Sequence, residues 1–161
     1  MTLSRRPVAA LAAFGVLAAL GMSACEGGQQ GSSMQPADSK REASVFLHET
    51  MQQAPLSWPE VPEPVATRCS AGAHGVRFQY LVHVEHSVDA AELARTFEDY
   101  WKARGLEVAP SEEDLGSRYG TVYSATARSA TGPWGAIEVS QTGINLYVDS
   151  ACATGDVAGY E

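Results

Sequence analysis

The sequence predicts an α+β domain, an antiparallel-rich sheet of about five strands in the order α-β-α-β-β-β-β with the helices packed on one face. Three observations carry this expectation. Val76 to Glu85 alternates apolar and polar residues without a break, the period of a half-buried strand. The segment that follows places Leu93, Phe97, Tyr100 and Trp101 on one stripe at helical spacing. Beyond Gly105 the chain divides into short β-rich runs separated by Gly and Ser, the mark of a meander.

The first segment stands outside that domain. Arg5 and Arg6 precede an uncharged apolar stretch from Val8 to Leu20, and Ser23 and Ala24 follow it, which is the order of a signal peptide. Such a stretch is too short to span a hydrocarbon core of ~30 Å, which takes about 20 helical residues. Met22-Ser23-Ala24-Cys25 resembles the lipobox of bacterial lipoproteins, an apolar residue and two small ones before the modified cysteine. The resemblance implies diacylglyceryl on the thiol of Cys25, cleavage of the Ala24–Cys25 bond, and a place on the extracytoplasmic face of the cell membrane. The membrane is then a partner through lipid on Cys25, held at ~0.8 kcal/mol per buried methylene. Ser4-Arg5-Arg6 is similar to the start of a twin-arginine signal, but Pro7-Val8-Ala9 departs from its continuation.

The organisation expected is therefore 1–24 signal peptide, 25–40 lipidated cysteine and flexible linker, and 41–161 one α+β domain. Glu26 to Lys40 is rich in Gly, Gln and Ser with almost no apolar residue, the composition of a flexible tether. From Ser39 the pattern changes: Ala43, Phe46, Leu47, Thr50, Met51 and Ala54 recur at helical spacing until Pro55. Leu56 to Arg68 holds Pro59, Pro62 and Pro64, which remove donors and disfavour helix, so it reads as an extended connector. After the Val76 to Glu85 strand, Asp89 and Glu92 form a capping-box pair that opens a helix from about Ala90 to Arg104, and Gly105 stops it. Strands are then expected at Leu106 to Ala109, Thr121 to Arg128, Gly135 to Gln141 and Ile144 to Ser150.

With Cys25 assigned to lipid, Cys69 and Cys152 remain as a pair, which outside the cytoplasm is expected to oxidise. Cys69 precedes the first strand and Cys152 follows the last, so the bond needs those strand ends to be neighbours, with Cα atoms within about 7 Å. Antiparallel pairing of the first and last strands meets that need and gives the order 1-5-4-3-2.

Every acidic residue lies after Cys25, so losing Arg5 and Arg6 takes the formal charge from −8 to −10. That charge, without any Lys/Arg run, argues against nucleic acid as a partner. Three segments come near to catalytic or metal-binding motifs. His48-Glu49-Thr50-Met51-Gln52 approaches the zinc-protease H-E-x-x-H helix, but Gln52 stands where the second imidazole is needed. His83, Glu85 and His86 cluster at one strand end, yet alternation sends His86 to the other face. Glu112-Glu113-Asp114 lacks calcium-loop spacing and reads as a solvated hairpin. No G-x-S-x-G, phosphate-cradling glycine loop or C-x-x-C is present, so no catalytic residue, metal ligand or cofactor is nominated.

If the helices cover one sheet face, the other should carry Leu81, His83, Asn145, Tyr147 and Asp149, a mixed apolar and polar strip suited to binding. The lipobox, polar linker, proline-rich approach to a cysteine, Tyr100-Trp101-Lys102-Ala103-Arg104-Gly105 and the closing Ser150-Ala151-Cys152 together resemble small uncharacterised actinobacterial lipoproteins. That resemblance implies location and fold, and no catalytic residue. The function expected is a membrane-anchored envelope lipoprotein, a non-catalytic module that binds an envelope protein or small ligand. The alternative from a different class is a small extracytoplasmic hydrolase or metal-dependent enzyme, which needs a deep pocket with convergent His and carboxylate groups.

Overall fold

Pro36 opens the first helix, because a proline at that position has no N–H to leave unpaired and its φ is already helical. The structure, a computed structural model, describes residues 34–69 and 74–160. Helix α1 (Pro36–Met51) thus starts before Ser39 and takes Pro36 to Lys40 from the segment expected to be linker. Ser39 gives the physical reason. It is buried, and its hydroxyl donates to the Ala151 carbonyl at 2.5 Å, tying the first turn to the chain beyond the last strand. Composition alone reads such a polar turn as tether, whereas a tertiary acceptor for its hydroxyl makes it part of the domain. Cys25, the expected leader before it and the expected linker through Ser33 lie outside the described residues.

The remaining elements are β1 (Val65–Arg68), β2 (Val76–Glu85), α2 (Ala90–Ala103), β3 (Glu107–Asp114), β4 (Thr121–Arg128), β5 (Trp134–Val139), β6 (Gly143–Asp149) and a closing 3₁₀ turn at Val157–Gly159. The six strands make one open sheet in the order β1-β2-β6-β5-β4-β3, every neighbouring pair antiparallel. Five of them stand in the order inferred from the cysteine pair. Cys69 and Cys152 are bonded, with Cα atoms 5.7 Å apart.

Two strands depart from expectation, and both are edges. β1 lies within the supposed connector and pairs with β2 from Val65↔Gln79 to Arg68↔Val76. It is only four residues long and follows Pro62 and Pro64, so periodicity had nothing to register. β3 runs on through Pro110 and the acidic Glu112-Glu113-Asp114, which therefore form strand rather than hairpin turn. Proline and clustered charge are tolerated on an edge, where they also discourage pairing with another chain.

Both helices pack on one face. α1 lies over β2 and β6, and α2 over β3, β4 and β5. Asp89 caps α2 by accepting from Glu92 N at 2.8 Å, and Leu93, Ala94, Phe97 and Trp101 turn inward. The helices meet where the Phe46 and Trp101 rings stack, centroids 6.4 Å apart, and Trp101 donates its indole N–H to Thr50 Oγ1 at 3.3 Å. Gly135 on β5 lies directly beneath that stack: a Cβ there would come within 3.0 Å of Phe46 Cε1 and 3.1 Å of Trp101 Cζ2. Val76, Phe78, Tyr80, Val82, Ile137, Val139, Ile144, Leu146 and Val148 fill the sheet side of this core. No helix among the described residues is long and apolar enough to cross a membrane.

Candidate functional site

Because strand side chains alternate between faces, inward Val82, Ile144 and Leu146 oblige their neighbours to point away from the helices. The pairing register then sets nine residues of β5, β6 and β2 in three rows: Trp134, Asp149 and Gln79; Ala136, Tyr147 and Leu81; Glu138, Asn145 and His83. All five residues expected on this face are among them. Leu81 is 51% exposed and His83 is exposed, Asn145 and Tyr147 are half-buried, and Asp149 is buried at 3%.

The bottom row is joined by hydrogen bonds. Tyr147 donates its hydroxyl to Glu138 Oε2 at 3.0 Å, and Asn145 Nδ2 donates to the same oxygen at 3.4 Å. Asn145 Oδ1 lies 2.8 Å from His83 Nδ1, and since a carboxamide oxygen only accepts, that histidine nitrogen carries a proton. The His83 ring lies over Gly143, where a Cβ would come within 2.9 Å of its Cε1. Burial pushes the Tyr147 phenol above its ordinary value, and the Glu138 carboxylate, as hydrogen-bond acceptor and as charge, pushes it in the same direction. A phenol that holds its proton this way is the reverse of an activated nucleophile. It offers an aromatic surface and a fixed hydroxyl for contact.

The opposite row is anchored more deeply. Asp149 accepts from Gln79 Nε2 at 3.0 and 3.1 Å and from Arg77 Nη1 at 3.3 Å. Arg77 also donates through Nη2 to the Cys69 carbonyl at 3.0 Å, which links this row to the disulfide. Asp149 is thus the foundation of the face and stands below its surface. Beyond it a hollow of about 490 Å³ opens between Arg77, Trp134, the disulfide and the β4–β5 loop.

Five residues of this face lay outside the strip expected from sequence: Arg77, Gln79, Trp134, Ala136 and Glu138. Arg77 and Gln79 share the alternation of Leu81 and His83, so the signal was there but nothing set how far the site extends. Trp134 opens β5 one residue before the expected Gly135 start, while Glu138 needed the register of β5 against β6 to join Asn145 and Tyr147.

The other candidates separate. His48 Nδ1 lies 2.7 Å from the Ser44 carbonyl on its own helix, and Glu49 pairs with Arg104 at the C-cap of α2, so both are engaged elsewhere. His83 is held by Asn145, whereas both ring nitrogens of His86 are buried without a hydrogen-bond partner. Among the described residues no group of three or more His, Cys, Asp or Glu is placed to hold a metal ion. No protein family, curated protein or solved structure matches the chain.

Proposed function

We propose that the chain is a lipid-anchored envelope lipoprotein whose uncovered sheet face is a binding surface for an envelope protein or a small ligand. The observation that carries this reading is the one-sided placement of the helices, which leaves the nine-residue grid uncovered. An ordinary solvated sheet face would be dominated by separate charged side chains. This one holds two aromatic rings and Leu81 among hydrogen-bonded polar groups, the mixture typical of recognition surfaces. The lipobox-like Met22-Ser23-Ala24-Cys25 supplies the address, export and a lipid tether on Cys25.

Two experiments test the two parts separately. A photo-crosslinking amino acid at Leu81 in living cells should capture a defined partner that is lost on Tyr147→Ala, while the same probe at exposed Arg95 on α2 captures nothing. Equal labelling from both positions would sink the binding-face reading. For the address, Cys25→Ser should release the protein from the membrane fraction or leave it unprocessed. Normal processing with unchanged membrane retention would overturn the anchor.

A further inference from the structure

The hollow at the disulfide end of the open face has a definite chemical character, set by which of its polar groups are already satisfied. Ser150 is used up: its hydroxyl accepts from Phe78 N at 2.9 Å and donates to the Ala151 carbonyl at 2.8 Å. Asp149, its side chain 4% exposed, is occupied by Gln79 and Arg77 and presents no free carboxylate to the hollow. Arg77 is in the opposite position. Of its five N–H groups, one meets Asp149 at 3.3 Å, longer than the 2.7–2.9 Å of a good charge-assisted bond, and one meets the Cys69 carbonyl. Its Nε is itself buried without a partner, so what it can offer a ligand is the remaining N–H on each Nη. The Trp134 indole N–H likewise makes no hydrogen bond among the described residues.

Apart from the Thr131 hydroxyl, which can donate or accept, the side-chain groups that remain are donors. The Arg77 guanidinium and the Trp134 indole line a space whose other walls are Ala130, Thr131, Gly132, Ser150, Ala151 and the Cys69–Cys152 disulfide. Donors of this kind call for an oxyanion, and the planar guanidinium matches a carboxylate in particular. The apolar walls call for a ligand with a body, and about 490 Å³ is within the usual range for small-molecule sites.

We propose that this hollow binds a small organic carboxylate, with its carboxyl group on Arg77 and its ring or alkyl body against Trp134 and the disulfide. The inference rests on the reading of the open face as a binding surface and gives one end of it a ligand class. The carboxylate completes the guanidinium that Asp149 meets at a single long contact, and Asp149 fixes the guanidinium plane without competing from inside the hollow.

The test uses the ¹⁵N-labelled, disulfide-bonded protein and two matched pairs of probes: alanyl-alanine against its C-terminal amide, and glucuronate against glucose. The expected result is that at least one carboxylate shifts the Arg77 Nε–H and Trp134 indole N–H signals in a saturable way while its neutral partner does not. Which carboxylate binds tells a peptide terminus from an acidic sugar. Arg77→Gln should weaken binding by about tenfold or more, the loss of one charge-assisted bond, and Arg77→Lys by less. Should Arg77→Gln perturb folding, Ala130→Glu leaves every Arg77 bond in place and should still abolish binding by setting a negative charge at the rim. No shift from either carboxylate, or equal shifts from acid and neutral partner, would overturn the proposal. Crosslinking at Leu81 that persists in Ala130→Glu would show that only the ligand assignment had failed.

Discussion

The two faces of β6 are built from adjacent residues and obey different rules. Ile144, Leu146 and Val148 point under the helices and are fully buried, while Asn145, Tyr147 and Asp149 point away and hold one another's neighbours by hydrogen bonds. The covered face draws its stability from apolar area removed from water, at roughly 25 cal/mol per Å². The open face draws on polar contacts worth about 1 kcal/mol each. The lesson is a division of labour: stability is concentrated on one side of the sheet, so the other can keep half-satisfied donors and exposed rings. Substitutions on the two sides should accordingly differ in size and in kind.

The largest difference is expected at Trp101. It is fully buried, stacks on Phe46, contacts Phe97 and donates to Thr50, so Trp101→Ala removes a large ring and strands a buried hydroxyl. A loss of about 3–5 kcal/mol in chemical denaturation is expected. A loss below about 1 kcal/mol would mean that the helices are not the principal cover of this sheet. Next comes the disulfide, which closes a loop spanning a separation of 83 residues. Replacing both Cys69 and Cys152 by Ser should cost about 2–4 kcal/mol, against an upper figure of about 4.5 kcal/mol from the chain-entropy treatment. The same change should disturb Arg77, whose Nη2 bond runs to the Cys69 carbonyl, so the open face feels it as well.

How much of this division was readable from sequence follows from the same alternation. Val76 to Glu85 declared its two faces unaided, and the Cys69–Cys152 pair, by forcing the first and last long strands together, fixed the order of five strands. β1 was illegible because four residues after Pro64 carry no period, and its existence depends on what β2 offers it. The start of α1 was hidden because Ser39 looks like tether until the Ala151 carbonyl is placed beside it. On the open face, alternation gives direction without depth. Leu81 and Asp149 follow the same rule, yet one is half exposed and the other is buried between Arg77 and Gln79. Depth is set by the lengths of neighbouring side chains across the register, which a single strand does not contain.

Asp149 is where the two rules meet, and its removal should fall between the core and surface effects. Asp149→Ala leaves the one-third-exposed Arg77 side chain without its carboxylate and Gln79 without its acceptor. About 2 kcal/mol is expected, tempered because Arg77 is partly open to water. The loss should shrink with salt if the ion pair contributes, and denaturation at low and high ionic strength reads this directly. A cost equal to that of Trp101→Ala would erase the distinction between the faces.

The smallest effect, and the one most particular to the open face, concerns its phenol. Tyr147→Phe deletes one half-buried hydrogen bond to Glu138 and should change stability near neutral pH by no more than about 0.5 kcal/mol. Its signature lies in alkali. The folded state raises the Tyr147 pKa, through burial first and Glu138 second, so the protonated phenol is favoured in the native protein. That contribution is fully present below the unfolded tyrosine pKa of about 10 and is lost as pH rises through the higher folded value. The balance between wild type and Tyr147→Phe should therefore move toward the Phe variant only above about pH 10. Tyr80, on the covered face of β2, is also pushed up by burial, with Lys40 opposing, and it titrates in both proteins. A spectrophotometric titration of the pair thus isolates the open-face phenol by difference. If the two proteins track each other through the alkaline range, Tyr147 is not held by Glu138, and the hydrogen-bonded row would have to be redrawn from His83 and Asn145 alone.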